Sequence, residues 1–422
     1  MANSHQPGTG RPAGGGTSRA GARGSGRSGA TPMNILRNRL FLAVALGHTT
    51  VDIFNSAGPV LIAFLSVSMG LSNAQIGLAI SLYALLGSTS QPLFGWLGDR
   101  YGHRWLAGLG LTWLAGFMIL ATFLAQSGNF LWLLIPFALA SLGSGAFHPV
   151  GVTSAGAVTL KKVATATALF FLFGQMGLAT GPLLAGIVLD YVGVRGLQLL
   201  ALGAIPVILF VLTAPYHPSA RHTAKKAAAV AKTVATQKTA WNAIFVLALL
   251  AAARSWAQLG TINFVPKLFQ DKGWDPTAYG AITGVMWFAS AILGVLAGQA
   301  ADRWGRRKVM AMAMFAAAIP LFFLPLSDGW PAFVLALLAG GLTGAPHSII
   351  VVISQSLLPG HKAMASGLTL GFIFGMGAVA SFGIGWLADT WSLPVVMQFG
   401  AAAALLSALL ALVLPQTREV EK

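Results

Sequence analysis

Cysteine is absent from the 422 residues, so neither a disulfide framework nor a thiolate metal site is available to this chain. Charge is scarce too: Asp, Glu, Lys and Arg make up 9 %, where a soluble domain carries about 25 %. Ten acids face 26 Lys and Arg, for a net charge of +16. In a soluble protein that excess would suggest nucleic acid. An apolar content of 56 % and a mean hydropathy of +0.74 exclude that class, and no nucleic-acid partner is expected. The spacing spells no nucleophile–base pair, metal cluster or phosphate loop, so neither an enzyme nor a cofactor or metal is expected. The first 32 residues, rich in Gly, Ser and Arg and free of acid, also lack the roughly 7–15-residue apolar run of a secretory signal. Residues 1–34 therefore read as a disordered basic tail on the cytoplasmic side.

What is present is a series of long apolar runs. A membrane span needs about 20 predominantly apolar residues. Twelve such runs stand near 39–67, 74–98, 104–125, 130–157, 164–190, 196–215, 241–269, 277–301, 308–326, 331–357, 362–388 and 393–414. With both termini placed in the cytoplasm, 22 of the 26 Lys and Arg fall on that side, as cytoplasmic loops require. Three of the other four, Arg195, Lys267 and Lys272, lie at or beyond outer span ends, and only Arg254 does not. The expected fold is all-α: an N-terminal six-helix bundle over 35–215, a basic cytoplasmic linker over 216–240, a C-terminal bundle over 241–415 and a tail over 416–422. Such a chain is expected as a monomer in the lipid bilayer of a bacterial inner membrane.

The two halves repeat each other. Gly95 to Arg104 reads G-W-L-G-D-R-Y-G-H-R between spans 2 and 3, and Gly298 to Lys308 reads G-Q-A-A-D-R-W-G-R-R-K between spans 8 and 9. His148 precedes Asp190 by 42 residues, and His347 precedes Asp389 by the same 42. Parallel halves of this kind place a substrate site at the midplane between them.

The duplicated G-x-L-x-D-R-x-G-x-R stretch resembles the signature of the major facilitator superfamily, and the likeness covers residues 35 to 415. A closer resemblance is to its fosmidomycin-resistance group. It rests on H-x-x-x-D at His48 and Asp52, A-F-H-P from Ala146, L-L-P-G from Leu357, and the run from Ser366 to Gly377 followed by G-x-L-A-D ending at Asp389. One departure is Val150, where relatives often carry an acid. The resemblance implies two six-helix bundles that rock about a central cavity lined by spans 1, 4, 7 and 10. It also implies a conformational latch on the cytoplasmic side, made of Gly95, Asp99, Arg100, Gly102 and Arg104 with Asp302, Arg303, Gly305 and Arg306. Proton-coupled efflux of a small anionic or amphiphilic compound is the activity it implies. Import or uniport of an organic anion is the alternative within transport, and a receptor without transport activity is the alternative outside it.

Inside the spans, polar chemistry is confined to a few positions. Asp52 is the only acid well within a span and Arg254 the only such base. An intramembrane charge costs about 2.5–3.5 kcal/mol on insertion scales, so it normally faces a cavity or a partner. Asp52 and His48, four apart and on one helical face, are expected to couple protons, with Arg254 in reach to favour the carboxylate. Arg254, His148, His347, Asn55, Gln258 and Gln175 are the expected substrate contacts, with Trp287 and Phe374 as further lining. Gly177, Gly181, Pro182 and Gly186 in span 5 are spaced for close helix packing.

Overall fold

The computed structural model describes residues 32–159, 162–216, 241–358 and 362–414. The expected tail, linker and C-terminal segment fall wholly or largely outside these ranges. The described residues form twelve helical spans, six before the linker and six after it.

In the first half, α1 is Arg39–Met69, α2 Asn73–Tyr101, α3 His103–Leu124, α4 Phe130–Ala157 and α5 Val163–Val192; α6 comprises Val194–Leu202 and Ile205–Thr213. In the second half, α7 runs from Trp241 to Asp271 through a π-helical turn at Trp256–Gly260. Then come α8 Pro276–Trp304, α9 Arg306–Phe323, α10 in two pieces (Gly329–Gly344 and Pro346–Leu357), α11 Lys362–Trp391 and α12 Leu393–Val413. Eleven of the twelve are long and apolar enough to cross a membrane, and α2 is the exception. Its polar run Gly87-Ser88-Thr89-Ser90-Gln91 dilutes an otherwise apolar 29-residue helix.

Local chemistry fixes the helix ends. Asn38 caps α1 by accepting from the Phe41 N–H at 3.0 Å, and Ser72 with Gln75 forms a capping box at the start of α2. Asp275 accepts from the Ala278 N–H at 2.7 Å with Pro276 in the first turn of α8. The duplicated signature is not a loop, as expected from the sequence, but a continuation of the helices. Asp99 and Arg100 lie in the last turn of α2, and Asp302 and Arg303 in that of α8. The chain turns at Gly102 (φ +104°) and Gly305 (φ +90°), conformations that an L side chain resists.

Burial ranks the spans. In their most apolar windows α1, α4, α7 and α10 are 72, 67, 61 and 61 % buried, and none of the other seven apolar spans exceeds 56 %. These four have a lower mean hydropathy (1.5–1.8) than α6, α9 and α12 (2.1–2.2) and two of them carry the intramembrane charges, so they lie innermost.

The halves meet at the face away from the chain ends, here the distal face. Gly186 of α5 packs on the Pro276 carbonyl of α8, and Gly385 of α11 packs on the Asn73 carbonyl of α2. Gly186 and Gly385 are 199 positions apart, and Asn73 and Pro276 are 203 apart, so these contacts are repeat images of each other. The acids follow the same rule. Asp190 accepts from the Thr277 hydroxyl (2.7 Å), while Asp389 accepts from the Asn73 and Ala74 N–H groups at the α2 N-terminus (2.8 and 2.9 Å). Ser66 donates to Gln270, and Ser81 to the Ala378 carbonyl. Toward the chain ends, by contrast, Gly367, Gly371 and Gly375 of α11 have nothing within 4 Å of an added Cβ. The seam is closed distally, while toward the termini these glycines of α11 face open space and Ser366 is held by Gln355 of α10 at 2.7 Å.

Candidate functional site

Two separate polar groups occupy the interior, one in each half. The first is built on α1. Asp52 is buried, and its Oδ2 lies 3.2 Å from His48 Nε2, one helical turn back. From α4, His148 Nε2 approaches Oδ1 at 3.5 Å. Asn55 donates its amide to the same Oδ1 at 2.9 Å and to Ser144 Oγ at 3.1 Å. Tyr83 of α2 in turn donates to Asn55 Oδ1 at 2.8 Å.

The ring nitrogens that face away from Asp52 decide what the cluster can do. His48 Nδ1 lies 2.8 Å from the Phe170 carbonyl oxygen, and His148 Nδ1 lies 2.8 Å from that of Ser144. A carbonyl only accepts, so each Nδ1 carries its hydrogen and each Nε2 is turned to the carboxylate. A bare Nε2 against an ionised oxygen would oppose two lone pairs, so the 3.2 Å contact requires a proton between them. The His48–Oδ2 contact is the shorter of the two histidine contacts, 3.2 against 3.5 Å for His148 and Oδ1, and is the better fit for a shared proton. His48 is held there by the Phe170 ring stacked at 4.0 Å and by His148 edge-on at 5.0 Å. Ligand-capable atoms of His48, Asp52 and His148 lie within 4.8 Å of one another, so the cluster suits a small cation; a proton fits its hydrogen-bond separations directly.

Helix α5 makes this arrangement possible. A Cβ on Gly174 would come 2.7 Å from Asp52 Oδ2, and one on Gly177 3.0 Å from Asp52 Cβ. Farther along, Gly181 lies against Ile53 and Ser56, and the Pro182 carbonyl and Gly186 pack on α8 across the seam. Any side chain at Gly174 or Gly177 would push α5 off the acid.

The second group is built on α7. Arg254 is 1 % exposed; its Nε donates to the Thr343 carbonyl of α10 at 2.9 Å and its Nη2 to Gln258 in the π-helical turn. Gln258 passes the chain on to Ser290 Oγ of α8 at 2.9 Å. Nη1 is buried with no hydrogen-bond partner. His347 is half-buried on α10. Among the described residues no ion pair joins Asp52 to Arg254, against the expectation of a charge pair: the acid answers to histidines in its own half and the base to neutral oxygens in the other. Gln175 and Trp287 are half-buried on α5 and α8, and Phe374 is exposed on α11.

The signature residues lie at the helix ends toward the termini. Asp99 is exposed and meets His103 at 3.3 Å, and Arg100 lies over the Trp96 and Tyr101 rings at 5.5 Å. Arg104 lies over Trp105, and Asp302 and Arg303 are exposed. Gly95 packs toward Pro149, and Val150 packs on the α2 backbone at Gly98. At this position, where relatives often carry an acid, the neighbour is a glycine and the contact is apolar.

Sequence reasoning missed Tyr83, Ser144, Ser290 and Thr343. The lone tyrosine in the middle of α2 was the one visible signal, since a buried phenol needs a partner.

A model of the Major Facilitator Superfamily matches residues 40–270 and 244–422. The chain is 27 % identical over 402 residues to the fosmidomycin resistance protein of Escherichia coli K12, covering 94 % of this chain and 97 % of that one. It is 27 % identical over 390 residues to the uncharacterized MFS-type transporter YfnC of Bacillus subtilis, covering 91 and 94 %. Among solved structures it resembles a D-xylose-proton symporter (TM-score 0.73, 14 % identity, 90 and 98 % covered). It also resembles a bacterial homologue of the human lysosomal transporter Spinster in an inward-facing, occupied conformation (TM-score 0.70, 15 % identity, 89 and 96 % covered). At these identities the structures speak for the fold alone.

Proposed function

The chain belongs to the Major Facilitator Superfamily, whose members are transporters and not enzymes, and we propose that it is a proton-coupled exporter of a small anionic or amphiphilic compound. The observation that carries this reading is the His48–Asp52–His148 cluster. With both Nδ1–H groups committed to carbonyls, the cluster has a defined place for one exchangeable proton. His148, whose side chain is 23 % exposed, is the part of it open to exchange. Across the interior, Arg254 offers a fixed positive charge with spare donor capacity, suited to a phosphonate, phosphate or carboxylate. The fosmidomycin resistance protein among the relatives supports efflux and a phosphonate cargo. Alternating access follows from the two halves: the distal seam is closed here, and rocking would open it while the terminal side closes over the signature residues. The bias of Lys and Arg supports assigning the side of the termini to the cytoplasm of a bacterial inner membrane. Import or uniport of an organic anion would use Arg254 equally well, so direction is what the experiment must decide.

Everted vesicles containing the protein, given labelled fosmidomycin and an imposed inside-acid gradient, should accumulate the label in the export direction. Collapsing the gradient should abolish that accumulation, and Asp52→Asn should reduce it to the level of empty vesicles. Accumulation indifferent to the gradient would remove the antiport reading. If Asp52→Asn and Arg254→Ala were both inert in a working assay, the cluster would have no part in transport.

A further inference from the structure

Helix α2 touches both the seam and the proton site. Its N-terminal N–H groups are held by Asp389 of α11. One and two turns further in, Gly77 lies against the α11 backbone at Ser381 and Phe382, and Ser81 donates to the Ala378 carbonyl. Two residues beyond Ser81 stands Tyr83, nearly buried, its ring against Phe137 at 4.8 Å and its hydroxyl on Asn55. The same short stretch of helix is thus fixed to the other half of the protein and to the neighbour of Asp52.

An asparagine amide has an acceptor end and a donor end, and only its partners decide which way it points. Here the Tyr83 hydroxyl donates to Oδ1, so Nδ2 faces Asp52 Oδ1 and Ser144. Without the hydroxyl only the ionised Asp52 and Ser144 hold the donor end inward, and once Asp52 takes a proton the amide is free to turn its oxygen toward it. An N–H donor favours the carboxylate, whereas an opposing oxygen favours the protonated acid. The remaining titratable groups around Asp52 are few. His48 comes from its own helix and His148 from α4. Helix α5 presents Gly174, Gly177 and the Phe170 carbonyl, α6 meets α1 through apolar Val211, and α7 meets it at the distal end through Gln270.

We propose that Tyr83 is a positioning residue that ties the proton site to the seam: with the distal seam closed it holds Asn55 as a donor to Asp52, and opening the seam withdraws that donor. The inference rests on the proton-coupled reading above. It gives the coupling a direction. An open distal side loads a proton onto the cluster, and closure restores the donor and releases the proton on the side of the termini, which is the order an exporter driven by external protons requires.

The absence of cysteine makes the test direct. Spin labels on introduced cysteines at Gln126→Cys and Trp330→Cys, both exposed at the distal face in opposite halves, report seam opening as an inter-label distance. In lipid nanodiscs the open fraction should follow pH between about 5 and 9, where histidine-linked sites titrate. Tyr83→Phe keeps the ring against Phe137 and removes only the hydroxyl; the donor is then lost in the closed state as in the open one, so the pH-driven change in the open-to-closed ratio should shrink by about tenfold, the scale of one hydrogen bond to a charged group. Asn55→Ala should give the same flattening, and the double variant no more than either alone. A pH response of unchanged span would reduce Tyr83 to packing, and additive losses in the double variant would break the link through Asn55. If the unsubstituted pair shows no pH response, the proton-coupled reading itself falls, and the role of Tyr83 with it.

Discussion

In the N-terminal half Asp52 is surrounded by groups that can give or take a hydrogen: two imidazoles, an amide held by a phenol and, through that amide, a serine hydroxyl. In the C-terminal half Arg254, on the corresponding helix, is surrounded by a carbonyl and a neutral amide, with one donor group left over. The scaffold that carries these two sites is close to symmetric. Its seam contacts pair Gly186 with Gly385 and Asp190 with Asp389 at one constant offset of 199 residues. The chemistry on that scaffold is not symmetric. A repeat sets where a helix lies and how deep a residue sits, but the partners of a buried charge come from other helices, which diverge freely. In the function proposed above, one half holds the mobile proton and the other the fixed charge.

Removing each charge should expose this difference, and the largest effect is expected at Arg254. Arg254→Ala should weaken binding of a phosphonate probe by about 10- to 100-fold, since hydrogen bonds from a charged donor contribute about 1.5–3 kcal/mol. Thermal stability should hold or rise, because an intramembrane cation with no acid partner is itself unfavourable. A ligand-dependent melting series on purified variants reads both quantities, and a marked loss of stability with binding unchanged would make Arg254 structural.

The next comparison sets the packed glycines of α5 against the open ones of α11. Gly181→Ala forces a Cβ onto the Ile53 backbone and should cost about 1–3 kcal/mol, seen as a lowered melting temperature. Gly371→Ala meets nothing within 4 Å and should be neutral or slightly stabilising. Equal losses at both would mean that α11 packs as tightly as α5 in the state populated in solution.

The smallest effect belongs to the seam. Asp389 holds two backbone donors and Asp190 one hydroxyl, so Asp389→Asn should open the distal side more than Asp190→Asn does. A shift of about fivefold in the open population, near 1 kcal/mol, is expected for Asp389→Asn. The distal spin-label pair measures it. Identical effects would show that the seam is held by its backbone packing and not by its acids.

The sequence by itself determined the architecture. Backbone groups in lipid must be satisfied within a helix, so runs of about 20 apolar residues could become little else, and the duplicated D-R-x-G stretches already marked two related halves. It also singled out Asp52 and Arg254, because charge inside a span is costly enough to be conspicuous without a structure. Only the tertiary structure decided what those charges touch. Asp52 and Arg254, matched in depth along the sequence, looked like a pair, yet each is served within its own half. The Phe170 and Ser144 carbonyls that orient the histidines belong to the backbone and leave no trace in composition or spacing. The phenol of Tyr83 signals that it needs a partner, but only the fold brings it to Asn55, 28 positions away. Hydropathy acts along one chain segment at a time, whereas the place of a proton depends on which donors and acceptors several segments bring to one point.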